Sequence, residues 1–273
     1  MTALLFIGNT QTDSLPADNR GLAYGDGLFE TMRVHRGDVP WWDAHWSRLM
    51  RGAARLRLRL PDASFVRGQA SQLFANDDGV LKLVVTRGAG GRGYAPAPHA
   101  EPDWLLSRHS LPSKPRASGL SLRWCDTRLA IQPALAGIKH CNRLEQVIAR
   151  GEWLDDTIDE GLMCDYEGSA VCATSANLFV LREGGWMTPL IDRCGVAGVC
   201  RAWCMAEVAA IEARLTQEQV ESADAIFLCN AVRGILPVER LGERQWSPQS
   251  QVSALQARLA HVHPAFASHW EVS

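Results

Sequence analysis

A chain of 273 residues can bury one large core or two modest ones, and 47% hydrophobic with 21% charged residues is the make-up of a soluble globular protein. A net charge of −2, with no basic run, argues against nucleic acid and anionic membrane as partners. The one apolar run near the N-terminus, ALLFI, stops at Gly8-Asn9, too short for a signal-peptide core or a bilayer span, so a cytoplasmic protein is expected.

In chain order, strands are expected at Ala3–Ile7, Leu28–Val34, Val80–Thr86, Trp104–Leu106 and Leu120–Trp124. Between the second and third lies a helix, because Trp42, Trp46, Leu49, Ala53 and Leu56 recur at four- and three-residue spacing and make one apolar stripe. The stretch LPSKPRASG, rich in Pro, Ser and charge, marks a boundary. It divides the chain into 1–112, a linker 113–118 and 119–273. After Lys139 a helix is expected with Asn142 as N-cap, Glu145 completing a capping box and Leu144, Val147 and Ile148 on the buried face. Strands at Gly161–Cys164, Asn177–Leu181 and Trp186–Thr188 follow, then a helix over 199–215, strands at Ala225–Leu228 and Ile235–Val238, and a last helix capped by Ser247 with Pro248 at its first position. Strands outnumber helices without strict alternation, which predicts an α+β fold in two parts.

Lysine is scarce: it occurs only at Lys82, Lys114 and Lys139, so the remaining cations are arginines. In such a chain Lys139, before a predicted helix, is a candidate nucleophile whose amine is activated by burial or the helix's positive end. The bland alternative is a lysine that snorkels to the surface. The stretch MTPLIDRCGVAGVCR runs through glycines into a helix and offers the backbone N–H groups of Val199 and Cys200 to a phosphate. That signal is weak alone. A candidate Schiff-base lysine and a phosphate cup in one chain together suggest pyridoxal phosphate.

Two further motifs carry polar side chains. RGAGGRGY contains GxGxxG, but APAPHAEPD follows and forms no helix, so the dinucleotide reading fails. What survives is a glycine loop presenting Arg92 and Tyr94 to a ligand, or a plain surface turn. In GLAYGDGLFETMRV, alternation sets Thr31 and Arg33 on one face and Glu30 and Met32 on the other; the bland reading is a turn and a half-buried strand. The eight cysteines show no CxxC pair and read as small buried residues. Cys200 and Cys204 stand four apart on a predicted helix, but no neighbouring His or Cys completes a zinc set, so no metal site is expected.

Through YGDGLFETMRV, LKLVVTRGAGGRGY, LAGIKHCNRLEQV and LCNAVRGILPV, from about Ile7 to Arg240, the chain resembles the 4-amino-4-deoxychorismate lyases of the fold-type IV pyridoxal-phosphate enzymes. The RGAGGRGY loop and the NRLEQ after the lysine separate these from the related branched-chain and D-amino acid aminotransferases. The resemblance implies a smaller N-terminal α/β domain, a larger C-terminal domain with a β-barrel-like sheet core, and a homodimer whose site lies between domains and is completed by the neighbouring subunit. It implies that Lys139 holds the cofactor, Arg48 and Asn230 contact its phosphate together with the amides of Val199 and Cys200, and Thr31 delivers a proton. Arg92 and Tyr94 then meet the substrate's carboxylates, and Tyr24 lines the pocket. The implied reaction converts aminodeoxychorismate to 4-aminobenzoate and pyruvate, a step of folate synthesis.

One position departs from that pattern. Cys172 stands where the family places a glutamate against the cofactor's ring nitrogen, and no acidic residue lies between Glu167 and Asn177. A thiol with an ordinary pKa near ~8.5 brings no full negative charge at neutral pH. The lyase, whose product ring becomes aromatic, is expected to tolerate this better than a transaminase. Glu167 reaching in through a shifted loop is a second reading. Two rival functions follow, an aminotransferase of branched-chain or D-amino acids and a non-catalytic cofactor-binding homologue.

Overall fold

The computed structural model of the chain describes residues 2–90, 93–97, 100–113, 116 and 118–269. It divides into two compact units: residues 1–111 with Ile138–Asn142, and residues 112–137 with 143–273. Of the expected linker, Lys114, Pro115 and Ala117 lie outside the described residues.

The first unit runs β1 (Thr2–Ile7), β2 (Thr10–Thr12), α1 (Arg20–Tyr24), β3 (Gly27–Val34), α2 (Trp42–Leu56), α3 (Ala63–Phe74), β4 (Gly79–Thr86) and β5 (Asp103–His109). Its strands form one antiparallel sheet in the order β2-β1-β5-β4-β3. Helix α2 buries Trp42, Leu49 and Ala53 of its predicted stripe, adding His45 and Arg48 to the same face. Phe6 stacks on Trp104 at 4.1 Å and meets Phe65 of α3 edge-on at 5.7 Å, an aromatic core on the β1–β5 side. Helix α3, whose apolar spacing is irregular, starts where the Asp62 carboxylate accepts from the Phe65 N–H at 2.8 Å. Strand β3 is the edge of this sheet, and Ile138–Asn142 pairs along it: Phe29 N–H donates to the Lys139 carbonyl at 2.9 Å, and Cys141 N–H donates to the Gly27 carbonyl at 2.9 Å.

The second unit contains β6 (Leu120–Trp124), α4 (Leu144–Arg150), β7 (Glu160–Cys164), β8 (Ser169–Ala173), β9 (Asn177–Arg182), β10 (Gly185–Pro189), α5 (Val199–Glu207), β11 (Ile211–Ala213), β12 (Leu215–Thr216), α6 (Gln217–Glu221), β13 (Ala225–Asn230), β14 (Gly234–Leu241), β15 (Arg244–Gln245) and α7 (Ser250–Val262). Among the described residues these strands make one mixed sheet, β11-β10-β9-β13-β14-β6-β7-β8-β12, with β15 on β14. Its apolar interior is built from Leu122, Leu162, Leu178, Val180, Leu228 and Leu236 with Trp246. The α+β class is thus observed in both units.

Four expectations for this half fail. The helix expected over 199–215 ends at Glu207, because Ala209 takes φ +49° and Ile211–Ala213 pairs parallel with Met187–Pro189 instead. Helix α4 has no side-chain cap: the Asn142 amide donates to the Gly25 carbonyl at 3.2 Å, and Glu145 accepts from the Ala130 N–H at 2.7 Å. Its apolar stripe also faces outward, with Leu144, Val147 and Ile148 exposed at 74%, 64% and 61% while Ala149 is the buried residue. The last helix starts at Ser250 rather than beside Ser247-Pro248.

Candidate functional site

In the first unit, pairing on the β3 edge fixes the backbone of Lys139 and sends its side chain across the sheet. The Lys139 Nζ lies 4.3 Å from the centroid of the Phe29 ring. Strand alternation puts Thr31 on the same face of β3 as Phe29, and β4 pairs Lys82 opposite Thr31. Lys82 shares that face, its Nζ 5.5 Å from the same ring. The sheet therefore gathers two of the chain's three lysines and Thr31 around one aromatic side chain. The sequence reading passed over Lys82, although the scarcity of lysine was the signal that would have found it.

The opposite face of β3 carries Glu30, fully buried, which accepts from Arg48 Nε at 2.8 Å, from Arg48 Nη2, and from His45 Nδ1 at 2.6 Å. Burial alone would raise this carboxyl, but the charge and hydrogen bonds of Arg48 and the hydrogen bond of His45 outweigh it and pull it down to about 2. His45 itself is lowered, by burial first and also by the charges of Arg48 and Lys139. Glu30 thus holds the Nε–Nη2 edge of the Arg48 guanidinium.

Arg20 organises the glycine loop. Buried at the start of α1, it donates to the Gly93 and Tyr94 carbonyls at 3.0 and 2.9 Å and to Asp26 at 3.0 Å, while its guanidinium lies 4.9 Å from the Tyr24 ring. Arg87 grips the same Asp26. Tyr24 and Tyr94 face each other with centroids 5.5 Å apart, and Tyr94 is 85% exposed. At Gly88, with φ +86°, a Cβ would stand 2.2 Å from the Glu101 carbonyl, so only glycine lets the chain leave β4 this way. Arg92 lies outside the described residues.

In the second unit, Val199 and Cys200 open α5 as expected. Gly198 is the N-cap and no side chain caps the helix, which leaves the first-turn amides to an anion. A Cβ on Gly198 would fall 2.1 Å from Asn177 Oδ1, so the cup is closed tightly around a bare glycine. The approach to the cup pairs with the approach to the lysine: Gly137 N–H donates to the Gly195 carbonyl at 3.0 Å, and Ala197 N–H donates to the Gly137 carbonyl at 3.1 Å. Asn230 closes its own turn, accepting from the Val232 and Arg233 N–H groups at 3.0 and 2.8 Å, and its amide reaches the Ser175 carbonyl at 3.4 Å.

Cys172 sits on β8, buried beside Cys194, Arg143 and Glu160. Burial, reinforced by Cys194, pushes its thiol up to about 12, so it is neutral at physiological pH. Glu167 lies on the exposed turn between β7 and β8 and is ion-paired with Arg193. A buried carboxylate the sequence reading missed is Glu160, which accepts from the Thr174 and Ser175 hydroxyls and from the Gly161 N–H.

The cysteines hold one correction. The sequence reading found no third ligand near Cys200 and Cys204, but β13 brings Cys229 to them, and the three Sγ atoms lie within 4.8 Å of one another. All three are fully buried. Burial pushes the Cys229 thiol up, but hydrogen bonds from Cys200 and Cys204 and the charge of Arg201 prevail and lower it to about 5.

The sequence profile of the family Amino-transferase class IV matches residues 27–241. The chain belongs to this family. Among class IV relatives, the aminodeoxychorismate lyase of Vibrio harveyi is 30% identical over 94% of this chain and 98% of its own. The crystal structure of 4-amino-4-deoxychorismate lyase from Pseudomonas aeruginosa superposes with a TM-score of 0.88 at 40% identity, covering 94% of this chain and 98% of that one. The D-alanine aminotransferase of Bacillus licheniformis is more distant, 24% identical over 81% of both chains. No helix among the described residues is long and apolar enough to cross a membrane.

Proposed function

We propose that the chain is a pyridoxal-phosphate-dependent lyase that converts 4-amino-4-deoxychorismate to 4-aminobenzoate and pyruvate, in the cytoplasm, as a step of folate synthesis. The observation that carries this reading is the placement of Lys139, its amine over Phe29 on the face of β3 that also holds Thr31 and Lys82. The greater likeness to lyases of Vibrio harveyi and Pseudomonas aeruginosa than to aminotransferases supports the choice of reaction.

When bound, pyridoxal phosphate supplies an electron sink for a carbanion beside the substrate nitrogen. The rest belongs to this chain. The amides of Val199 and Cys200 would hold the phosphate, and Arg48, oriented by Glu30 and His45, is the side chain that the resemblance assigns to the same group. The Lys139 amine would remove the proton from the substrate carbon that bears the nitrogen, and the Thr31 hydroxyl would return a proton to the methylene of the departing enolpyruvyl group. Lys82 offers a fixed positive charge to a substrate carboxylate, a task shared with Arg92 and with Tyr94 on the loop that Arg20 holds. The neutral Cys172 thiol gives the ring nitrogen no counter-charge, which supports the lyase over an aminotransferase because aromatisation drives the lyase step.

The exposed Leu144, Val147 and Ile148 on α4 supply an apolar face of the kind an isologous interface buries, which supports a homodimer. The deciding experiment is a joint assay of 4-aminobenzoate and pyruvate from aminodeoxychorismate. Equal amounts of both, abolished in Lys139→Ala, establish the lyase. Amino transfer to a keto acid without pyruvate release establishes an aminotransferase, and a cofactor-loaded protein without turnover establishes a binding homologue.

A further inference from the structure

Three thiols from two elements meet inside the second unit: Cys200 and Cys204 on successive turns of α5, and Cys229 on β13. Helical spacing sets the first two sulfurs on one face, and that face packs on the strand that carries the third. All three residues show 0% exposure. Packing alone would be served by any small apolar residue, and it does not require sulfur at all three corners of one triangle.

We propose that Cys200, Cys204 and Cys229 bind one soft monovalent cation, Cu(I), as a three-coordinate thiolate site. Three sulfurs each about 2.3 Å from a shared ion, in one plane with it, stand about 4 Å apart. The observed cluster, with every Sγ within 4.8 Å of the others, needs only a small contraction to reach that geometry. Among the described residues no carboxylate or imidazole joins the group, so it offers sulfur alone, the donor that selects Cu(I) over harder ions. Zinc, which takes four ligands in structural sites, finds only three.

Binding involves no change of oxidation state. The three cysteines ligate as thiolates, any sulfur still protonated giving up its proton to solvent, and the ion takes the three sulfur lone pairs. The negative charge that results is partly offset by Arg201, buried next to Cys200 and fixed by the Pro189 carbonyl at 2.9 Å and by Glu212 at 2.6 Å. Glu212 is itself 39% exposed, so its own charge is screened by water. The bound ion ties the first two turns of α5 to β13, which is a structural effect and does not depend on the proposed lyase activity.

The test uses the full chain under anaerobic conditions, with Cu(I) presented by a competing chromogenic chelator. The expected result is one Cu(I) retained per chain, three sulfurs and no lighter ligand in copper-edge X-ray absorption, and a raised unfolding temperature. Affinity should fall in Cys229→Ser by more than about 100-fold, the upper end of what losing an outer-shell partner costs, and stay unchanged in Cys194→Ala. Retention of no copper against the chelator overturns the proposal, as does a site with two sulfurs or with nitrogen or oxygen ligands. Equal affinity in Cys229→Ser and the unaltered chain overturns it too. If Cys229→Ser does not fold, the ligand count on the unaltered chain decides alone.

Discussion

Glu30 holds Arg48 by the Nε–Nη2 edge, and the same buried carboxylate accepts from His45. Removing one partner of such a pair strands the other charge in the core, which costs about 3–5 kcal/mol. Glu30→Gln should therefore lower the unfolding free energy by that order, measured by urea unfolding at pH 7. The pH dependence has a definite sign. With the folded pKa depressed from 4.5 to about 2, Glu30 contributes stability that is complete above about pH 4.5 and lost as pH falls toward 2. The contribution is on the order of 3 kcal/mol. The variant should lose less stability than the parent across that window, and parallel curves would show that Glu30 is not the titrating group.

Lys82 faces Thr31 across the β3–β4 ladder and reaches the ring that Lys139 covers. Replacing it with Met keeps the length of the side chain and removes the charge. Lys82→Met should raise KM for aminodeoxychorismate by about tenfold or more, the worth of one charge-assisted contact of about 1.5–3 kcal/mol, while the absorbance of bound cofactor stays unchanged. A drop in kcat alone would assign it to proton transfer instead.

The Cys172 thiol is neutral, so its loss should cost little. Cys172→Ala is expected to keep lyase turnover within a few-fold, because no charge is removed. Cys172→Glu should raise amino transfer to a keto acid, measured as formation of the amino acid product. A variant that folds and binds cofactor with no gain in transfer would show that charge at this position does not set the reaction.

The outward stripe of α4 gives a test of assembly. A charge at Val147 or Ile148, as in Val147→Glu, should shift the chain to monomer in sedimentation equilibrium at micromolar concentration, since an unpaired charge in an apolar interface costs several kcal/mol. Unchanged mass would place the interface elsewhere.

What could be read from the sequence was local. The alternation of GLFETMRV set Thr31 and Glu30 on opposite faces, and the stripe of α2 gave its buried side, because periodicity in a single element suffices for both. Lys139 stood out by its rarity and by the resemblance. Lys82 and Cys229 did not, since their partners come from strand pairing and packing that no spacing encodes. The stripe of α4 was recognised but assigned to the wrong surroundings, as periodicity shows which face is apolar and not what covers it. The end of α5 was missed for a related reason, its continuation being recruited by the β10 edge.

The five residues Ile138–Asn142 cover the β3 edge of a sheet whose other strands all lie before residue 111. During synthesis that sheet leaves the ribosome with one edge bare, and at about 5–20 residues per second the covering segment follows on the order of seconds later. A nascent chain in that interval presents unpaired backbone groups to any neighbouring strand. A fragment truncated after Leu111 never receives its cover, nor the lysine that arrives with it.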